Sequence, residues 1–483
     1  MRARHERSTR GSVLVLVLVM VAIMAMVAAS ELFVARGETA ASAAARDGHH
    51  ARAAAMSGIH RVLAVLSAAR DEMGEPIDLR DNPEIFQAQA LTGEESGWHF
   101  TVFADNLSDP ENVRYGLEEE AAKINLNVAS DDALKALGLT DELVDCLRDY
   151  QDTDSAAREN GAEQDYYDQL STPYLIRNGP LLSLEEVLLV KGFDGSAVYG
   201  EDANRNGLLE GNENDGQESF PPDDGDGQLN RGLRCFATAI SYEPDVGSEG
   251  AARININTED PNALAETLAG AGVGTQTADF IVQARGQNVN IPDPSSLLGM
   301  TIEVQAAQAG TARGPRGRRG RAAAGAVTRT YTLSSGVGAD NLPAVMDKLT
   351  SGGISLNGQA ILPGRVNLNS APIEVLSALD GIDENIAQEI IDTRDTLDEM
   401  VRSTTAWLYT EGVVSAETFK TVAPLLTTRS YQYRVRSFGY RPEGGRFCVL
   451  EAVIDTASGE PRIRYLRELT RLGVPFTPGG EER

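Results

Sequence analysis

The hydrophobic pattern changes character three times along the chain, and each change predicts a different element. From Val13 to Ala29 there is no charged or polar side chain. As a helix rising 1.5 Å per residue, that run spans about 26 Å, enough to cross a bilayer core with help from its flanks. Between Gly37 and Arg70 alanine dominates, and Met56, Ile59, Leu63 and Leu66 recur at three- and four-residue steps. This spacing predicts one long helix that lays an apolar stripe against a sheet and ends at Gly74-Glu75-Pro76. Alternation predicts strands from Trp98 to Phe103 and near Val113-Arg114-Tyr115. It returns at Tyr431–Phe438, Phe447–Ile454 and Ile463–Leu472, as a β-meander completing the early sheet.

Between these ends a pattern repeats. Ile124-Asn125-Leu126-Asn127, Ile254-Asn255-Ile256-Asn257 and Val366-Asn367-Leu368-Asn369 each read as a short strand closing on Asn, good capping material for a following helix. Those helices carry Ala133, Leu134 and Leu137, then Leu264 and Leu268, then Val375, Leu376 and Leu379. In the third copy Gly381-Ile382-Asp383 turns into a second helix with Ile386, Ala387, Ile390, Ile391 and Arg394, a helix-hairpin-helix pattern. Asp279 to Arg285 echoes that helix in copy two, as Leu143, Cys146 and Leu147 do in copy one. The spacings are unequal, so the motif is reused and does not build a solenoid. Such a hairpin can grip a nucleic-acid backbone through its amides. Here Asp383 and Glu384 stand where phosphate would approach, and Glu389 and Asp392 follow. Nucleic acid is therefore not expected, and the copies read as packing modules. Ala306 to Ala326 has no apolar period and carries Arg313, Arg316, Arg318, Arg319 and Arg321, which predicts a basic disordered loop over 306–330.

Composition narrows the class. The 483 residues are 42% apolar and 24% charged, globular material for two or three domains. The net charge of −28 repels nucleic acid and anionic headgroups and suits divalent cations. Cys146, Cys235 and Cys448 are the only cysteines, which excludes a disulfide scaffold and allows one bridge at most. The histidines have no metal-ligand spacing, and no phosphate-cradling loop, nucleophile elbow or zinc motif occurs. No enzymatic activity is expected.

One motif does carry chemistry. Asp202-Ala203-Asn204-Arg205-Asn206-Gly207-Leu208-Leu209-Glu210-Gly211-Asn212-Glu213 fits a twelve-residue calcium loop, with side-chain oxygens from Asp202, Asn204, Asn206, Glu210 and Glu213. Gly207 stands at the sharp turn, and Leu208 offers its carbonyl. Calcium wants six or seven hard oxygens, and a loop of this length wraps them around one point. Glycine and proline on both sides exclude two long EF-hand helices. Asp223, Asp224 and Asp226 form a second acidic cluster, a weaker metal candidate.

The N-terminal segment has three readings. Arg2, Arg4, Arg7 and Arg10 keep the leader cytoplasmic and export everything after Glu31. The run then serves as an uncleaved anchor or as a signal peptide cut after Val27-Ala28-Ala29, though it exceeds the usual apolar length of about 7–15 residues. In the third reading, Arg10-Gly11 followed by Ser12-Val13-Leu14-Val15-Leu16 resembles the leader of type IV pilins and type II secretion pseudopilins. That resemblance implies cleavage between Gly11 and Ser12 by a prepilin peptidase, leaving the apolar helix on the mature chain. Major subunits of those families carry Glu five residues after the cut, where this chain has Leu16.

Several further stretches resemble the type II secretion system protein K family, a minor pseudopilin. They are Ile124 to Asn127, Gly161-Ala162-Glu163-Gln164-Asp165-Tyr166-Tyr167, Arg177 to Ser183 with Glu185-Glu186, Arg365 to Pro372, and the terminal strands. The resemblance implies an α+β fold, a pseudopilin-like long N-terminal helix on an antiparallel sheet with a large inserted α-helical domain holding the repeats. It implies calcium, a single-pass place in the bacterial inner membrane with the bulk in the periplasm, and a role in starting the pseudopilus. The I and J type minor pseudopilins, the major pseudopilin and the prepilin peptidase are the implied partners. The middle copy and the basic loop depart from the family. The expected layout is a leader (1–11), the helix (12–75), the first sheet part (76–126), the inserted domain with the calcium loop (127–235) and the second repeat (236–305). The basic loop (306–330), the third repeat (331–426) and the closing meander (427–475) follow. A minor pilin of a type IV pilus and a membrane-tethered DNA-uptake protein remain as rivals.

Overall fold

The computed structural model describes residues 10–71, 77–91, 97–109, 111–258, 260–308, 327–356 and 358–476. One helix, Arg10–Asp71, accounts for the whole N-terminal region described. Its first half is long and apolar enough to cross a membrane, and among the described residues nothing buries that stretch. The second half lies on a seven-stranded antiparallel sheet, in the order Gln89–Ala90, His99–Asp105, Gln432–Tyr440, Cys448–Asp455 and Arg462–Glu468. The short strand Val113–Arg114 pairs with His99–Asp105, and Glu118–Glu119 pairs with Gln432–Tyr440. The early and late strands thus form one sheet, with Phe438 opposite Thr101 in the central pair.

The face of the helix that meets the sheet is narrower in side-chain size than the sequence stripe suggests. Ala51, Ala54, Ala55, Ile59, Val62, Val65 and Leu66 are buried, whereas Met56 and Leu63 only flank them. Small residues win the centre because the backbones come close. A Cβ on Gly439 would lie 2.2 Å from the Ala51 carbonyl oxygen, and one on Gly58 would lie 2.1 Å from Ser437 Oγ. Phe100, Val102, Val435, Leu450, Ala452 and Ile454 complete this core from the sheet. Each fully buried aliphatic side chain there contributes about 1.5–3 kcal/mol.

Past these short strands, the chain between Ile124 and Thr427 holds the three repeats. The three copies each give a two-residue strand, a helix, a turn and a second helix. The helices are Asp131–Ala136 and Asp141–Gln151, Pro261–Ala269 and Thr275–Gly286, Ile373–Ser377 and Glu384–Arg394. Each opening strand is closed by a parallel strand far downstream: Ile124–Asn125 by Ala237–Thr238, Ile254–Asn255 by Leu349–Thr350, and Val366–Asn367 by Leu426–Thr427. The local chemistry repeats with the strands. Asn125, Asn255 and Asn367 each accept the amide of the second residue on, at 3.0, 2.8 and 3.0 Å. Arg148, Arg285 and Arg394, late in each second helix, donate to backbone carbonyls of the turn that follows the opening strand.

Three expectations need correction. The basic loop is shorter than 306–330, because 306–308 and 327–330 belong to an antiparallel hairpin of Thr301–Gln308 with Val327–Ser334; its arginines lie outside the described residues. The boundary drawn at 331 separates elements that close together, since Leu349–Thr350 completes copy two; Ala237–Thr238 likewise completes copy one across the boundary at 235. The helix is described as far as Asp71; the expected Gly74-Glu75-Pro76 stop lies outside the described residues, as does the leader up to Thr9. Short hydrophobic strands closing over about a hundred residues carry no local signal, so their partners were not legible.

Candidate metal centre

The loop after the short helix Gly195–Tyr199 folds its polar side chains inward. Gly207 takes the left-handed conformation, φ 78°, as the sharp turn requires. Asp202 is fully buried and accepts the amides of Asn206 at 3.0 Å and Gly207 at 3.1 Å. Asn204 Oδ1 accepts the Asn206 amide at 3.0 Å, and Asn206 Oδ1 accepts that of Leu208 at 2.8 Å. The amide groups of both asparagines donate to Glu210, at 2.8 and 3.2 Å. Glu213 closes the loop by accepting the Glu210 amide at 3.2 Å. The fold therefore gathers Asp202, Asn204, Asn206, Glu210 and Glu213, with Leu208 at the turn.

Whether these residues suit a calcium ion can be judged from their unmet needs. Glu213 is buried, and its Oε1 has no hydrogen-bond partner in the protein. Burial, reinforced by Asp202 and Glu210, pushes its pKa up to about 7. A cation answers both needs, and a set of carboxylate and amide oxygens without nitrogen or sulfur suits calcium. The carboxylates of Asp202, Glu210 and Glu213 do not close to within 4.8 Å of one another, and Asp202 faces Arg234 at 3.1 Å. The donor set fits; the loop must tighten to use it.

The second acidic cluster behaves differently. Asp223 is buried, but the amides of Gly216 and Gly225, both at 2.8 Å, and of Asp215 at 3.1 Å saturate it. Asp224 and Asp226 are exposed and accept the amides of Asp226 and Gln228, at 3.0 and 2.7 Å. The structure does not bring these three together around a common point. They are turn formers, because Asp next to Gly satisfies its own backbone.

What fastens the Asp202–Glu213 loop to the sheet was not anticipated. Arg234 bridges Asp202 to Asp105 at 2.6 Å, and Asp105 also takes Arg436 from the central strand. Arg436 continues to Glu118 at 2.8 Å and donates to the Arg205 carbonyl at 2.7 Å, inside the loop itself. Arg231 reaches the carbonyls of Asn106 and Gly207, at 2.9 and 3.3 Å. Beside them Arg434 joins Glu120 and Glu451, at 2.7 and 2.9 Å. Burial opposes ionisation of Asp105, yet Arg234 and Arg436 outweigh it and bring its pKa down to about 2. Burial likewise opposes Glu118, but Lys123 and Arg436 hold it well below the ordinary range. A signal for this network was present: Gln432, Arg434 and Arg436 alternate with Tyr433 and Val435, so one face of the strand is apolar and the other is cationic. The three cysteines are all buried and free, so Cys235 and Cys448 form no bridge.

Residues 113–199 match the family described as type II secretion system protein K. That span begins at the strand beside Asp105 and ends just before the calcium loop. No curated protein matches. Among solved structures, a chain in the crystal structure of the GspK-GspI-GspJ complex from the enterotoxigenic Escherichia coli type 2 secretion system is similar. It is 12% identical, covering 88% of this chain and 98% of that one at a TM-score of 0.35, a likeness too loose to argue from.

Proposed function

We propose that this chain is a minor pseudopilin of a type II secretion system, working at the tip of the pseudopilus and helping to start its assembly. The observation that carries this reading is the division of one continuous helix. Between Val13 and Val34 the apolar side chains are exposed, while Ala51, Ala54, Ala55, Ile59, Val62, Val65 and Leu66 are buried on the sheet of the same chain. Such a helix rests in a bilayer before assembly and can exchange lipid for neighbouring helices afterwards, with no change in the head. The protein K match at 113–199 supports the particular subunit.

In this reading the apolar helix spans the inner membrane and the head lies in the periplasm. The partners are the I and J type minor pseudopilins and the major pseudopilin, met through the exposed helix. The role is architectural, and no catalytic step is assigned. Calcium is held by Asp202, Asn204, Asn206, Glu210 and Glu213 with the Leu208 carbonyl, and its binding energy adds to the stability of the loop. Through Arg234 and Arg436 that stability passes to the sheet against which the helix lies.

Coexpression with the prepilin peptidase and the I and J subunits tests the proposal. A mature chain beginning at Ser12, with photo-crosslinks from Leu18 or Met24 to those subunits, is the expected result. A chain left uncut or beginning near Ser30, with no such crosslinks, would remove the filament helix and the function with it.

A further inference from the structure

Where the third repeat faces the sheet, the fold leaves a cavity of about 340 Å³, within the about 300–1,000 Å³ usual for small-molecule sites. Arg80, Arg114 and Arg394 reach its wall from three places: the segment before the sheet, the strand Val113–Arg114 and the end of the helix Glu384–Arg394. Ile373, at the start of the helix Ile373–Ser377, lines it beside them.

The acids on the same wall are engaged or stand in solvent. Asp105 and Glu118 answer Arg234, Arg436 and Lys123. Glu119 accepts Asn367 at 2.7 Å and Ser370 at 2.6 Å, and Glu374 and Asp395 are exposed. What remains unmet is donor capacity. Among the described residues Arg80 bonds only through its backbone, with its guanidinium left over. Arg114 commits Nε and Nη1 to carbonyls and keeps Nη2. Arg394 is 5% exposed, and its Nε has no hydrogen-bond partner, with Asp395 Oδ1 beyond reach at 3.9 Å. Burial lowers the pKa of Arg394, and the Arg80 charge adds to it; burial lowers that of Arg114 too, with Arg80 adding against Glu118. A negative charge in the cavity relieves both.

The first repeat shows which group is missing. Arg148 and Arg394 donate to carbonyls of corresponding residues, Leu126 and Ala129 in copy one, Leu368 and Ala371 in copy three. In copy one Asp131 completes the arginine, accepting from Arg148 Nε at 2.8 Å. Asp131 stands six residues after Asn125, and the residue six after Asn367 is Ile373. Copy three therefore has an apolar side chain and a cavity where copy one has a carboxylate. In copy two Pro261 stands there and Arg285 Nε is also unpaired; what copy three adds is the cavity and two further arginines on its wall. We propose that this cavity binds a ligand through its carboxylates, one of which takes at Arg394 the place that Asp131 holds at Arg148. The planar fork of arginine matches a carboxylate. Three guanidinium groups outnumber one such charge, so a ligand with two or more carboxylates is favoured, either a small dicarboxylate or an acidic peptide segment. Once bound, it ties the third repeat to the sheet. None of this depends on the secretion reading.

Titration calorimetry on the full chain in detergent, at about 0.1 M salt, tests this with glutarate, a capped tri-glutamate peptide and sulfate as probes. Glutarate or the peptide is expected to bind at one site. Arg80 is exposed, so Arg80→Gln should leave circular dichroism unchanged and weaken binding about tenfold, the worth of one charge-assisted hydrogen bond. Ile373→Asp supplies the carboxylate of copy one from within and should abolish binding, whereas Ile373→Asn, of the same shape without the charge, should keep it. Whichever of glutarate and the peptide binds more tightly identifies the source, a small molecule or an acidic segment, and either supports the site. Binding of neither overturns it, as does sulfate held as tightly as the better of the two. A folded R80Q or I373D chain that binds like the wild type overturns it as well.

Discussion

Glu213→Gln separates the charge of the calcium loop from its shape. Gln keeps the oxygen that accepts the Glu210 amide, at 3.2 Å in the wild type, and removes the ionisation. In the metal-free protein Glu213 moves from an ordinary 4.5 to about 7, chiefly through burial. An acid whose folded pKa is raised lends its full stability below the unfolded value and loses it as pH climbs through the folded one. The loop should therefore weaken between about pH 4.5 and pH 7, then level off. At roughly 1.4 kcal/mol per pKa unit the ceiling is about 3 kcal/mol, and relaxation with water entry leaves about 1–2 kcal/mol. The amides of Asn206 and Gly207, both donating to Asp202, report the opening directly by hydrogen exchange. With chelator present, their protection in the wild type should fall about 5- to 30-fold from pH 5 to pH 8, after correction for intrinsic rates. In E213Q it should stay flat, and calcium should restore protection at pH 8 only in the wild type. An E213Q profile that parallels the wild type, or a calcium response that survives the substitution, would refute the reasoning.

Two further outcomes follow from the buried network and the thiols. Arg436→Met removes one of the two buried cations that pair with each of Asp105 and Glu118, leaving Arg234 and Lys123, so chemical denaturation should show a loss near the lower end of about 3–5 kcal/mol. Because the pKa of Asp105 is depressed, its share is present above the ordinary carboxylate range and lost only as pH falls through about 2; acid unfolding of the wild type should lag that of R436M. Burial, with the Asp105 charge adding, pushes the Cys235 thiol up to about 12, and the other two cysteines are buried as well. Maleimide should label none of the three before denaturation and all three afterwards, whereas a chain that retains a disulfide would label at one.

The elements legible in advance were those whose cause is local. The Val13–Ala29 run, the alternation around Phe100 and Val435, and the helix that follows Asn127 all announce themselves within a few residues, although the cap of that helix is Ser130 while Asn125 serves the turn of its own strand. The turn of the candidate calcium loop was legible for the same reason, since Asp202 to Glu213 are consecutive and Gly207 marks the bend. What stayed hidden depends on distant partners. Nothing near Thr238, Thr350 or Thr427 says that each closes a strand opened about 60–110 residues earlier, because two-residue parallel pairs have no period of their own. Alternation marks the face bearing Arg434 and Arg436 as polar, and only the tertiary fold turns that face onto Asp105 and Glu120. Asp223 was the opposite case, an acidic run that looked like a ligand set and serves its own backbone.

The parallel closures also bear on how the chain reaches its native state. His99–Asp105 must find Gln432–Tyr440 across more than three hundred intervening residues, a separation that makes for slow assembly. The intervening chain is not one long coil, however. Copy one returns to its start at Ala237–Thr238, copy two at Leu349–Thr350 and copy three at Leu426–Thr427. Each can gather as a ring with its ends already side by side, and the pairing of Tyr242–Pro244 with Gln359–Pro363 brackets the second ring in the same way. Once the rings exist, the distance left to search is the width of three small bodies, and the remaining closure entropy shrinks to that of the short links between them. The same arrangement lets copy two close on itself between copies one and three without drawing either strand of the sheet apart.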